Sequence, residues 1–157
     1  MHKIGQPRTT MRKAMLIAVV LALLLPAGGQ ALQPGHYTIS ISDRRISVQH
    51  PHTGHTIFRS LLYNKQIRAR AIGSSVMLCT FLGREGALGD GASYCWVSYS
   101  LPKGTIHASG VVRNHFRFQL AVTGGTGWYA NIVGTTVSLI LSPSPPKHQL
   151  QFAIRAV

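Results

Sequence analysis

Two stretches near the C-terminal end alternate strictly. Phe116, Phe118, Leu120 and Val122 are interleaved with Arg117 and Gln119, and Leu150, Phe152 and Ile154 with Gln149, Gln151 and Arg155. A period of two is the mark of a strand with one face buried and one wet. The same reading gives strand candidates at 36–41, 44–49, 55–62, 66–72, 75–82, 93–101, 104–112, 115–123, 133–141 and 148–156, and no helical period long enough to cover a sheet. Turn chemistry separates them: Leu101-Pro102-Lys103-Gly104, the glycine-rich run from Gly83 to Gly91, and the proline-rich hairpin loop Ser142-Pro143-Ser144-Pro145-Pro146. Many short strands at regular spacing predict an all-β sandwich or barrel. Within 93–101, Cys95, Val97, Tyr99 and Leu101 form the more apolar face and are assigned to the interior. Tyr94 and Trp96 then lie outside, where they need cover from a loop or a neighbouring subunit.

The N-terminal 31 residues follow another rule. Lys3, Arg8, Arg12 and Lys13 precede an unbroken apolar run, Ala14 to Leu25, and Gly29-Gln30-Ala31 offers small residues at a cleavage site. This is the pattern of a secretory signal peptide, and twelve apolar residues are short for a membrane span. The reading gives a signal peptide over 1–31, a mature chain from Leu32 that is secreted or periplasmic, and one domain over 32–157. Of the 16 Lys and Arg, four lie in the signal and none of the three acids does, which leaves twelve cations against three acids, or +9. Such an excess suits anionic envelope surfaces. The cations are scattered, without the basic run or interleaved aromatics of a nucleic-acid groove, so no nucleic-acid partner is expected. Cys79 and Cys95 in an exported chain predict one disulfide between neighbouring strands, with two buried thiols as the alternative.

Gly125-Thr126-Gly127-Trp128-Tyr129-Ala130 has the form of a dinucleotide-binding fingerprint. That motif needs a helix after it, and the chain continues instead into the β-branched run Val133 to Leu141. No acid lies beyond Asp90 to hold a ribose, so no cofactor is expected. His50-Pro51-His52-Thr53-Gly54-His55 could ligate a metal in a cupin-like barrel, but the glutamate such sites use is missing before Glu85; the segment reads as a polar loop, with no metal. Three acids, Asp43, Glu85 and Asp90, are too few for paired-carboxylate chemistry, and the last two read as rim residues of a glycine-rich loop. A Cys79 nucleophile would be silenced by a bridge to Cys95.

From Phe58 onward the chain resembles the allene oxide cyclase and dirigent superfamily of small antiparallel β-barrels. The resemblance rests on Leu62-Tyr63, on Ile72-Gly73 to Cys79, on Gly104-Thr105-Ile106 to Gly110, and most specifically on Leu120 to Gly127 with Tyr129, Ala130 and Gly134. It implies a single closed barrel, with Gly124, Gly125 and Gly127 supplying positive φ in a bulged turn between two strands. It also implies a trimer by analogy, and a lumenal pocket lined by Thr38, Ser40, Phe58, Ser60, Cys79, Cys95, Val97, Tyr99 and Val112. The cyclases carry a glutamate and an asparagine two residues apart on the first strand. In Tyr37-Thr38-Ile39-Ser40-Ile41-Ser42-Asp43-Arg44, Thr38 and Ser40 fall at those places. Hydroxyls cannot replace a carboxylate base, so this alignment predicts a lumen without an ionised base and no proton-transfer chemistry.

Three functions remain open. One is a secreted barrel binding a small, largely apolar ligand. Another is an isomerase-like cyclase or dirigent-type template that guides cyclisation or coupling of a small molecule. The last is a filled, basic structural or interaction protein of the envelope. Lumen volume separates the last from the others, and turnover separates the first two.

Overall fold

The computed structural model describes residues 31–64, 70–83, 91–114 and 116–157. The predicted signal peptide, apart from its last residue, lies outside the described residues, as do Glu85 and Asp90. Eight strands run up and down in sequence order and close on themselves: β1 (Gly35–Gln49), β2 (His55–Tyr63), β3 (Gly73–Phe81), β4 (Ser93–Leu101), β5 (Gly104–Val112), β6 (Arg117–Gly125), β7 (Ile132–Pro143) and β8 (Pro146–Ala156). Every neighbouring pair is antiparallel, and β1 pairs with both β2 and β8, so no sheet edge is left open. An eight-stranded barrel is about wide enough for its own side chains to fill. No helix among the described residues is long and apolar enough to cross a membrane.

Alternation sets the two faces. Cys95, Val97 and Tyr99 are buried and Leu101 half-buried, whereas Tyr94 and Trp96 are exposed, as the period-two reading requires. Trp96 stacks on His107 of β5 at 5.8 Å between ring centroids. Leu150, Phe152 and Ile154 face inward from β8, and Leu120 and Val122 from β6. Phe116 breaks its predicted series: it precedes β6 and is exposed. The candidates 36–41 and 44–49 are one fifteen-residue strand that runs on through Ser42 and Asp43, both buried. Of candidate 66–72, residues 65–69 are outside the described set, and Arg70, Ala71 and Ile72 are not in a strand.

The glycine-rich segment closes one end. β6 runs to Gly125, a 3₁₀ turn spans Gly127–Tyr129, and β7 starts at Ile132. Gly124 and Gly127 have positive φ, and a bulge places Thr123 between the pairs His107–Gly124 and Ala108–Val122. Gly125 differs from expectation: its backbone is not in the left-handed region, and glycine is needed there because a Cβ would strike the Thr105 and Tyr129 carbonyl oxygens. Tyr129 and Leu32 are buried under this turn, with the Leu32 amide donating to the Trp128 carbonyl at 2.8 Å. The opposite end carries the β1–β2 connection with its histidines, and it is there that the interior can be reached.

Candidate functional site

Two neighbouring spaces lie toward the open end. The outer one, a vestibule of about 520 Å³, is lined by His50, His52, His55, Thr56, Phe58, Cys79, Phe81 and Ser93 among others. Below it, with Phe58 bordering both, an inner chamber is walled by Asp43, Arg45, Ser60, Ser75, Met77, Val97, Tyr99, Phe118, Ser138, His148 and Leu150. Side chains nearly fill this chamber. The space that the centre of a water molecule can reach is about 30 Å³, room for a very few waters.

The inner chamber is polar in an otherwise apolar barrel. Asp43 of β1 and His148 of β8 are register partners, both nearly buried, and His148 Nδ1 lies 2.9 Å from Asp43 Oδ1. An ionised carboxylate can only accept, so the imidazole donates through Nδ1–H and its Nε2 is left for another partner. Tyr99 sits deeper, edge-on to Phe152 at 5.0 Å and beside Thr136, whose hydroxyl has no well-formed hydrogen bond. Burial, and then the nearby charge of Asp43, push the Tyr99 phenol well above its ordinary range; the Thr136 hydroxyl opposes this weakly. Tyr99 is therefore a neutral donor at any working pH. Arg45, two residues beyond Asp43 on the same face, carries its guanidinium 4.3 Å over the Phe58 ring. Desolvation lowers its pKa, partly offset by Asp43, although a guanidinium starts so high that it stays charged.

The predicted pocket residues divide. Phe58, Ser60, Val97 and Tyr99 line the inner chamber, and Cys79 lines the vestibule. Cys95 and Val112 are core residues that touch neither space. Thr38 and Ser40 must be corrected. They pair with Ala153 and Gln151 on the outer face, Thr38 exposed and Ser40 half-buried beside Ser42, Leu141 and Gln149, away from both spaces, while Tyr37, Ile39, Ile41 and Asp43 point inward. The expectation of a lumen without an ionisable base falls with them, because Asp43 and His148 are there. The polar alternation Thr38-Ser40-Ser42 against Tyr37-Ile39-Ile41 carries that register, and extending the β8 alternation from Leu150 back by two residues puts His148 inside.

The cysteines are bridged as predicted, S–S 2.03 Å, joining directly opposed positions of β3 and β4 beside the vestibule. His50 and His55 are bonded by their ring nitrogens to Thr56 and Thr80, at 3.1 and 3.2 Å. Among the described residues no group of three potential ligands is placed to hold a metal ion.

No family model matches the chain, and no curated protein matches its sequence. Solved structures do share the fold. A Diels–Alderase from Streptomyces koyangensis aligns over 99% of this chain and 84% of its own, with TM-score 0.61 and 12% identity. A pyocyanin demethylase aligns over 74% and 99%, with TM-score 0.58 and 22% identity. A pterocarpan synthase dirigent protein aligns over 80% and 99%, with TM-score 0.54 and 12% identity. The cyclase and dirigent barrel expected from the glycine-rich block is thus the fold observed.

Proposed function

We propose that this barrel binds a small, largely apolar molecule at its open end and promotes its cyclisation or coupling. The observation that carries the reading is the Asp43–His148 pair, buried beneath a vestibule and next to Tyr99. A buried ionisable pair stabilises a fold no better than well-packed apolar residues, and titratable groups gathered in a cleft mark functional sites. The vestibule is within the size range of small-molecule sites, and the inner chamber is far below it. The body of a ligand therefore sits in the vestibule on Phe58 and Phe81, with one polar end directed at the chamber. There Tyr99 donates a hydrogen bond, and the His148 imidazole, oriented by Asp43, takes or returns a proton. Holding the reacting ends together can itself lower a barrier by about 7–11 kcal/mol. Barrels of the same fold named as a Diels–Alderase and a dirigent protein lend support, and the disulfide supports an exported protein.

A second reading is favoured by the near-filled inner chamber and the cationic composition: a basic envelope protein that binds no small molecule. Native mass spectrometry of the protein from its own source separates the two. The first predicts a co-purifying molecule whose conversion falls at least tenfold in His148→Gln. A ligand-free protein that also fails to take up neutral apolar probes supports the second.

A further inference from the structure

The group in the chamber that the acid–base reading leaves unused is Arg45. Asp43 and Arg45 share one inward alternation on β1, opposite Leu62 and Ser60, and the alternation ends at once: a register shift inserts Ile46, which turns out to solvent, before Ser47 meets Arg59. A bulge of this kind re-aims a side chain at the rim of a barrel. Here it leaves a guanidinium in the wall of the inner chamber, over Phe58. Its Nε is shielded from water and has no hydrogen-bond partner. The one described acid, Asp43, is engaged by His148, and no ion pair joins it to Arg45. What the guanidinium has instead is the face of Phe58, at 4.3 Å, and Phe58 borders both spaces.

A guanidinium offers a planar fork of five donors that matches a carboxylate, and stacking on a phenyl ring satisfies none of them. Resting on the ligand-binding reading above, we infer that the ligand is an apolar molecule bearing a carboxylate or an equivalent planar oxyanion, whose charged end takes the unfilled donors of Arg45. The anion occupies the small inner space beside Phe58, its apolar body lies in the vestibule against Phe58 and Phe81, and Arg45 is the residue that selects charged ligands over neutral ones of the same shape.

Matched probes test this without knowledge of the natural ligand. Binding of 2-naphthoate and of neutral 2-naphthalenemethanol to the purified protein is measured by fluorescence at fixed ionic strength. The wild type is expected to bind the acid at least tenfold more tightly than the alcohol. Arg45→Gln brings the two within about twofold, Arg45→Lys keeps part of the preference, and Arg117→Gln, an outer-face cation, keeps all of it. Equal affinities in the wild type, or a preference that survives Arg45→Gln, would overturn the inference and leave ligand binding standing. Failure of both probes to bind would instead count against the proposed function itself. The wild-type comparison needs no variant, so an unstable Arg45→Gln does not shelter the claim.

Discussion

If Asp43 and His148 are kept for chemistry and not for stability, taking away one should harm the fold more than taking away both. Both side chains are over nine-tenths buried, and they meet at 2.9 Å across the β1–β8 ladder. Asp43→Leu leaves Nδ1–H without an acceptor, a loss of about 1–3 kcal/mol for an unsatisfied buried donor. His148→Leu leaves a buried carboxylate without its hydrogen-bond partner and with only the charge of Arg45 nearby, and breaking a buried pair from one side costs about 3–5 kcal/mol. The double variant removes both polar groups and fills the space with apolar atoms, so it should fall within about 1 kcal/mol of wild type. The cycle then yields a coupling of at least about 3 kcal/mol between the two positions. Urea unfolding at pH 7 with the disulfide intact measures it. Single variants that each cost under about 0.5 kcal/mol, or a double variant costing their sum, would refute the claim that the pair is a mutually dependent buried unit.

Other parts of the barrel give three further expected outcomes. Replacing both Cys79 and Cys95 by Ala opens the 16-residue separation and should lower stability by about 3 kcal/mol in denaturant titration; a loss under about 1 kcal/mol would show that the bridge constrains little. The Tyr99 phenol is raised in the fold, so the stability it contributes is complete below pH 10 and declines as pH rises toward its folded value; between pH 10 and 11 the wild type should lose up to about 1.4 kcal/mol more than Tyr99→Phe, and parallel curves would contradict the burial argument. Gly134 has positive φ and its Cβ position is occupied by the Ala153 carbonyl of β8, so Gly134→Ala should cost about 2 kcal/mol or more, read from Tm and urea midpoints, and a neutral effect would mean that β7 and β8 approach each other less closely there.

The barrel was legible because its signal is local. Leu150-Phe152-Ile154 and Cys95-Val97-Tyr99 state which face is buried within a few residues, and the opposed Cys79 and Cys95 follow from placing both on that face. The site was legible only in part. Phe58, Ser60, Val97 and Tyr99 were found, but Asp43 and His148 are 105 residues apart and become neighbours only when β8 closes on β1. Ser42 and Asp43 fall between two strand candidates, because nothing nearby in the sequence can satisfy a buried carboxylate; the partner that makes the inward orientation tolerable is at the other end of the chain. The first-strand register failed for a different reason. Alignment by resemblance put Thr38 and Ser40 in the lumen, although their own apolar neighbours Tyr37, Ile39 and Ile41 claim the inward positions. Arg45 was hidden by the bulge after it, which no period predicts.

The histidines offer a direct test of where a ligand goes, since they sample each region: His148 in the inner chamber, His50, His52 and His55 around the vestibule, His36 exposed on β1, and His107 on the outer face against Trp96. With the imidazoles labelled with nitrogen-15, the protein is titrated with 2-naphthalenemethanol and the ring resonances are followed by NMR. The account predicts saturable shifts of His148 and the vestibule histidines, with His36 and His107 unchanged. Shifts confined to His107 or His36, or none at saturating probe, would contradict a lumenal site.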